Sequence, residues 1–296
     1  MKLKDIKDVL TFRAFRPEPD DSSAPWTKRF VRESSLALNI GRRRVSWSVL
    51  DKNGDFRDAG SQEGDFKDMV TQMGPEWRAL TENGWCSVSL NQRFVITLEV
   101  NVSRRAGLEA QLKTNPKSVL GAKAERGKKY WLQHNPESNT SLLLAADEEA
   151  ITKTVAQLKD VGLFAGRVAV GTYGMMLDLI DQVADARRAR AVTNPGEPFG
   201  SVVMVTCCEG SVCALSQREE QWMELRSRTD LYSDDPSPVL DIILPLIQNA
   251  GPNTNIVFMN DESGSPLPEL LRQRLPGALV SDVSVPSQMW KLLTDS

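Results

Sequence analysis

The residues best suited to binding chemistry are three consecutive arginines, Arg42, Arg43 and Arg44, which follow Gly41 between two apolar runs. Guanidinium groups clustered at a turn bind phosphates and carboxylates, so this stretch could hold an anion or an acidic partner. A charged turn that is simply solvated explains the same residues, and we favour that simpler interpretation.

Other reactive side chains are sparse. His134 is the only histidine and lies beside Asn135 in a predicted loop, so the chain cannot build a catalytic triad or a multi-histidine metal site. Cys207, Cys208 and Cys213 lack C-x-x-C spacing, and adjacent strand residues point to opposite faces. We interpret these three cysteines as small buried strand residues and predict no metal site.

The composition is that of an ordinary globular protein. The chain has 296 residues, 41% hydrophobic and 25% charged, and a formal net charge of −3. This charge gives no overall attraction to nucleic acid, and no apolar run approaches the roughly 18 residues that a membrane span needs. We therefore expect a cytoplasmic protein with no nucleic-acid partner and no direct membrane insertion.

Alternating apolar residues predict a three-stranded meander in the first half. The runs before and after Gly41 have period two, and Asn53-Gly54 predicts a hairpin that pairs residues 56–59 back on 45–50. A helical segment interrupted by Gly74-Pro75 follows. Farther on, residues 147–149 are acidic and suit a helix N-terminus, and Gly162 suits its left-handed C-cap.

The second half repeats this plan. "SVVMVTCCEGSVCALSQ" predicts two strands joined at Glu209-Gly210, followed by an apolar helix, the strand "NIVFMN", a short helix and an edge-like strand. "RRARAVTNPGEPFG" reads as a connector because charge is followed by proline and glycine. We predict an extended lead-in over 1–30, a first lobe over 31–190 and a second lobe over 191–296.

The order of these segments resembles the actin-like ATPase superfamily, and more narrowly the PilM, MshI and GspL-cytoplasmic-domain proteins of pilus and secretion machines. The resemblance rests on "RFVITLEV", the basic segment after it, the Ala145-Ala146 strand end, Gly162-Leu163 and "SVVMVTCCEGSVCAL". It implies an α/β fold, the duplicated actin-like (ribonuclease H-like) one. Each lobe would hold a mixed five-stranded sheet flanked by helices. The short span between the second hairpin and "NIVFMN" leaves no room for a helical subdomain that closes over a nucleotide.

The nucleotide motifs of that superfamily are altered here. The first phosphate loop is expected to carry aspartate before its glycine turn, and this chain has Asn39 and Gly41. An amide can bind water but brings no negative charge to a magnesium site. The second loop corresponds to Thr206, Cys208 and Gly210, without the usual carboxylate. The adenosine loop, usually Gly-Gly, corresponds to Asn260 and Asp261. We predict a pseudo-ATPase without a cofactor.

The same resemblance implies a role in binding. PilM-type proteins hold a short cytoplasmic segment of a membrane-anchored, PilN-type partner, and they communicate with a motor ATPase. We place the docking strand at Phe94, Ile96 and Leu98, which alternate with Val95, Thr97 and Glu99. The predicted protein is a non-catalytic scaffold at the inner face of the inner membrane. An ATP-binding ATPase or kinase that uses Glu209 or Asp261 remains the alternative, and a filament-forming protein is a third.

Overall fold

The computed structural model describes most of the 296-residue chain. The described residues are 36–41, 43–50, 56–81, 84–90, 95–170, 172–196, 199–208, 210–229, 231, 235–251, 254–260, 267–276 and 279–283. The predicted lead-in over 1–30 and the turn at Asn53-Gly54 lie outside these residues.

The chain divides into two compact units. The first comprises Met1–Leu90, Asp147–Val170 and Leu293–Ser296, and the second comprises Asn91–Ala146 and Gly171–Leu292.

A five-stranded sheet forms the centre of the first unit. Its strands are β1 (Leu36–Ile40), β2 (Arg44–Leu50), β3 (Phe56–Glu63), β4 (Trp85–Leu90) and β8 (Phe164–Val170), in the order β3-β2-β1-β4-β8. β1 pairs antiparallel with β2 and parallel with β4, and β8 extends the parallel part. Every residue of β1 is buried, as expected for a central strand covered on both faces. The predicted meander is confirmed, with β3 longer than expected.

Two helices of the first unit are α1 (Phe66–Leu80) and α4 (Glu148–Asp160). The predicted interruption at Gly74-Pro75 is wrong, because α1 continues through both residues. Gly74 is buried against Val161 at the end of α4, and Trp77 is fully buried one turn later. Burial on both sides of the proline offsets the single backbone hydrogen bond that proline removes.

The ends of α4 follow the sequence signals. The Asp147 carboxylate accepts hydrogen bonds from the backbone N–H groups of Glu149 and Ala150, at 3.0 and 3.3 Å. Gly162 has a φ of +78°, and the N–H groups of Gly162 and Leu163 donate to the carbonyls of Lys159 and Leu158. This pair of bonds is a Schellman motif, which needs the left-handed conformation that glycine adopts at little cost.

The second unit contains a sheet of the same design. Its strands are β9 (Val202–Cys208), β10 (Ser211–Arg218), β11 (Gln221–Arg228), β12 (Asn255–Asn260) and β13 (Leu279–Asp282), in the order β11-β10-β9-β12-β13. The helices are α5 (Tyr173–Thr193), α6 (Ser237–Ala250) and α7 (Leu267–Arg274). The apolar face of α6 packs on alternate residues of β9, such as Val203 and Val205. Among the described residues, α6 is the only helix between β11 and β12.

A three-stranded sheet also belongs to the second unit. It is formed by β5 (Val95–Ser103), β6 (Lys128–His134) and β7 (Thr140–Asp147), in the order β5-β7-β6. Helices α2 (Leu108–Thr114) and α3 (Pro116–Leu120) and a 3-10 turn (Gly121–Lys123) connect β5 to β6. Leu108 and Leu112 of α2 pack on Tyr130 and Leu143 of this sheet.

The two five-stranded sheets have equivalent topologies. In each, three antiparallel strands form a meander, and the first strand of that meander pairs in parallel with a strand that reaches the sheet through helices. The predicted duplicated α/β plan is therefore confirmed.

Candidate functional site

The first predicted phosphate loop joins β1 to β2. Asn39 is 1% exposed inside β1, and the backbone N–H of Gly41 donates to the carbonyl of Arg44 at 2.8 Å, closing the turn. The penultimate residue of β1 is therefore a buried amide, at the position where the resemblance implies a carboxylate.

The arginines of this turn behave as surface residues where the structure describes them. Arg43 is exposed, and Arg44 Nη2 lies 3.4 Å from Glu63 Oε1, with the Arg44 side chain 39% exposed and the Glu63 side chain 82% exposed. Such a pair contributes little to stability. Arg42 lies outside the described residues.

The second predicted phosphate loop joins β9 to β10. Thr206 is fully buried, and its hydroxyl oxygen lies 3.4 Å from the backbone carbonyls of both Thr172 and Cys213. Cys208 is buried and pairs in register with Ser211, while Gly210 adopts a left-handed φ of +75°. The described side chains of this loop are all uncharged. Glu209 lies outside the described residues.

The strand expected to precede the adenosine loop lies beside this hairpin. β12 runs parallel to β9, and Asn260, the last residue of β12, pairs with Cys207, one residue before the end of β9. Asn260 is buried, so the carboxyl ends of the two strands bring together Thr206, two cysteines and an asparagine. Ligands of open α/β sheets bind at this end of the strands. Asp261 lies outside the described residues.

The cysteines fit the structural interpretation. All four are buried thiols that form no disulfide, and burial raises the pKa of Cys213 and of Cys86 to about 12. A thiol held neutral in this way is a poor metal ligand and a poor nucleophile. Within the described residues, no group of three or more histidine, cysteine, aspartate or glutamate side chains could hold a metal ion.

The prediction that His134 lies in a loop is wrong. His134 is the last residue of β6, and its Nδ1 lies 2.8 Å from the hydroxyl of Ser141. The side chain is nevertheless exposed, as a surface histidine would be.

The predicted docking strand is β5, an edge strand of its sheet. Ile96 is 40% exposed, whereas Leu98 is half-buried and packs against the cluster that contains Leu108 and Tyr130. The register with β7 shifts between Thr97 and Glu99. This irregularity places Ile96 and Leu98 in different surroundings although they are two residues apart. Phe94 lies outside the described residues.

A cavity of about 630 Å³ in the second unit was not predicted from the sequence. Its wall includes Arg187, which is 8% exposed and makes an ion pair with Glu137 at 3.3 Å. Gln217 also donates to Glu137, and the Phe199 ring lies 5.0 Å from the Arg187 guanidinium carbon. Burial lowers the pKa of Arg187, and the Glu137 carboxylate opposes that shift.

Arg187 belongs to the stretch that we interpreted as a connector. That interpretation is wrong for residues 187–193, since α5 continues to Thr193. A signal was present, because Ile180, Val183 and Arg187 recur at helical spacing and all three are buried. The third of these buried positions is an arginine, which hid the helical pattern because arginine usually indicates an exposed face.

The strand orders of both units define a protein with the duplicated actin-like fold that the sequence predicts. The structure is similar to one described as a PilM-PilN type IV pilus biogenesis complex, with a TM-score of 0.53, 14% sequence identity and coverage of 89% of this chain and 94% of that one. This similarity establishes the fold alone.

Two further solved structures resemble the chain more distantly. A Bacteroides thetaiotaomicron protein of actin-like ATPase fold and unknown function has a TM-score of 0.48, 11% identity and coverage of 88% and 95%. The cytoplasmic domain of EpsL, an inner-membrane component of the Vibrio cholerae type II secretion system, has a TM-score of 0.48, 12% identity and coverage of 88% and 92%. No protein-family model and no curated protein matches the sequence. Among the described helices, none is both long and apolar enough to span a membrane.

Proposed function

We propose that this chain is a non-catalytic scaffold of a type IV pilus or type II secretion-like assembly platform, and that it binds a short cytoplasmic segment of a membrane-anchored protein. The observation that carries the proposal is the similarity to a chain of a PilM-PilN type IV pilus biogenesis complex, which covers 89% of this chain and 94% of that one. The proposed location is the inner face of the inner membrane, where such a segment is accessible. A motor ATPase is the second proposed partner.

The chemistry of the loops supports a role without catalysis. Magnesium prefers carboxylate, carbonyl and water oxygens, and nucleotide sites supply at least one carboxylate. The described loop positions offer a buried amide at Asn39, a buried hydroxyl at Thr206 that lies beside two carbonyls, and a neutral amide at Asn260. These groups do not fit the charge that a magnesium–ATP complex requires.

The edge position of β5 supports peptide binding. An extended segment can add to a sheet edge through its backbone, while pockets for alternate side chains provide selectivity. Ile96 presents an exposed apolar side chain on this strand, and Glu99 is exposed close by. The C-terminal part of β5 already contacts β11, because the Asn101 side chain donates a hydrogen bond to the backbone carbonyl of Trp222. We therefore place the peptide along the part of β5 that carries Ile96.

Nucleotide binding tests the first half of the proposal. Titration of the full chain with ATP and magnesium chloride, followed by calorimetry and thermal unfolding, is expected to give no saturable heat and no rise in Tm. Saturable binding that Asp261→Ala abolishes would overturn the proposal in favour of an ATPase or kinase. Sedimentation of the concentrated protein into filaments would favour an actin-like polymer instead.

Peptide binding tests the second half. The probes are synthetic peptides that cover the cytoplasmic N-terminal segments of inner-membrane proteins encoded beside this chain. One peptide is expected to bind, and Ile96→Asp is expected to weaken it about tenfold or more by placing a charge in the contact. Val192→Asp is the matched control, since Val192 is an exposed apolar residue on α5. Equal effects of the two substitutions would refute the assignment to β5.

A further inference from the structure

Arg187 is a buried cation that uses only part of its hydrogen-bonding capacity. Its Nη1 donates to Glu137 Oε2 at 3.3 Å and to the backbone carbonyl of Glu219. Its Nε and Nη2 are buried and have no hydrogen-bond partner. An unsatisfied buried donor costs free energy, and more so when the donor carries a charge. An acceptor placed against these two nitrogens would remove that cost.

The geometry of the two nitrogens specifies the acceptor. The Nε and Nη2 protons of arginine form a planar fork whose spacing matches two oxygens of a carboxylate or a phosphate. The Glu137 carboxylate occupies Nη1 and leaves this fork unused. A neutral single acceptor such as a hydroxyl would satisfy only one of the two nitrogens.

The cavity beside Arg187 has the room and the charge for such a ligand. It is lined by four arginines and three glutamates, together with Phe199, Ser201 and small residues; the charged residues are Arg187, Arg188, Arg190, Arg218, Glu137, Glu219 and Glu220. Glu137 is occupied by Arg187 and Gln217. Glu219 and Glu220 are exposed at the turn between β10 and β11, where water screens their charge.

We propose that this cavity binds a small ligand through an oxyanion group, a carboxylate or a phosphate, that the Nε and Nη2 nitrogens of Arg187 hold as a bidentate pair. The Phe199 ring, which lies 5.0 Å from the Arg187 guanidinium and 5.7 Å from that of Arg190, forms the apolar wall against which the ligand packs. Because the two nitrogens are closed to solvent, the side chains of the wall move when the ligand enters.

Binding of inorganic phosphate and of succinate to the full chain tests the proposal. Comparison of the two probes shows whether the cavity binds a phosphate or a carboxylate. Calorimetry at constant ionic strength is expected to show saturable binding of at least one probe. Arg187→Lys keeps the positive charge beside Glu137 but removes the fork, and it should weaken binding about tenfold to a hundredfold. Arg105→Lys is the matched control, because Arg105 is exposed between β5 and α2.

Saturation separates site binding from the general stabilisation that phosphate gives to folded proteins, which grows steadily with concentration in every variant. If Arg187→Lys does not fold, the double variant Arg187→Met with Glu137→Gln removes the fork without leaving an unpaired buried charge, and it should also lose binding. Absence of saturable binding of both probes to the wild-type chain, or unchanged binding to the variants, would overturn the proposal.

Discussion

Glu137 and Arg187 provide a stability prediction whose size follows from their burial. The two side chains are 11% and 8% exposed, so water screens their attraction weakly. Removing one member of a buried ion pair leaves the other charge desolvated and costs about 3–5 kcal/mol, whereas replacing both members is often close to neutral. Because both side chains retain some exposure, we take the lower part of this range.

A double-mutant cycle measures the effect. We expect Arg187→Met to lower the free energy of unfolding by about 3 kcal/mol and Glu137→Gln by about 2 kcal/mol, because the glutamine keeps an oxygen for Gln217. The double variant should lose only about 2 kcal/mol and not the sum of about 5 kcal/mol, because no unpaired charge remains and the main loss is the hydrogen bond to the Glu219 carbonyl. These values give a coupling energy of about 3 kcal/mol. Urea unfolding followed by circular dichroism provides these values.

The exposed pair Arg272–Glu269 is the control for this cycle. Its side chains are 46% and 64% exposed and three residues apart on α7, so its coupling should not exceed about 0.5 kcal/mol. Additive losses for Arg187 and Glu137, or a coupling as small as that of the exposed pair, would refute the account of Arg187 as a buried, paired cation.

Two further stability predictions follow from packing and from titration. Gly74→Ala should destabilise the first unit by about 1 kcal/mol or more, because a Cβ there would lie 2.8–2.9 Å from three carbons of Val161. Gly174→Ala should stabilise the chain by up to about 1 kcal/mol, because a Cβ at that helical position meets no atom within 4 Å. Urea unfolding compares the two variants. Burial raises the pKa of Cys86 and of Cys213 from 9.0 to about 12, so each thiol contributes stability that is present below pH 9 and is lost as the pH rises from 9 towards 12, by about 1 kcal/mol at pH 10. The alkaline loss should shrink in the Cys86→Ala, Cys213→Ala double variant.

Each of these predictions can fail in a defined way. If Val161→Ala does not restore the stability lost in Gly74→Ala, the close contact with Val161 is not the cause. If the double cysteine variant loses stability between pH 8 and pH 10 as steeply as the wild type, groups other than the two thiols dominate the alkaline transition.

The sequence predicted the features that depend on neighbouring residues. Alternating apolar positions located the strands around Gly41 and Gly210, because a half-buried strand needs one apolar face. The cap of α4 was equally predictable, since Asp147 and Gly162 act on backbone groups within a few positions of themselves. The order of these elements then predicted the duplicated fold.

The features that were missed depend on residues far apart in the chain. The helix continues through Gly74 and Pro75 and packs there against Val161, which is 87 positions away in the sequence. The Val161 side chain occupies the space that a side chain at position 74 would need. The burial of Arg187 depends on Glu137, which is 50 positions away, and nothing adjacent in the sequence indicates that pairing. A local pattern that contains an arginine predicts a solvent-exposed face. Only the tertiary structure brings in the carboxylate that offsets the cost of burying the guanidinium group.

The cavity and the second predicted phosphate loop lie at opposite ends of one hairpin, so their chemistry can be tested separately. Cys208 pairs with Ser211 beside the loop, whereas Val202 pairs with Gln217 at the other end, close to Ser201 and Glu219 of the cavity wall. Seven strand residues separate these ends by roughly 20 Å. An oxyanion held at Arg187 therefore cannot touch Thr206. Phosphate binding that is lost in Arg187→Lys would assign the ligand to the cavity, and nucleotide binding that survives the same substitution would assign that ligand elsewhere.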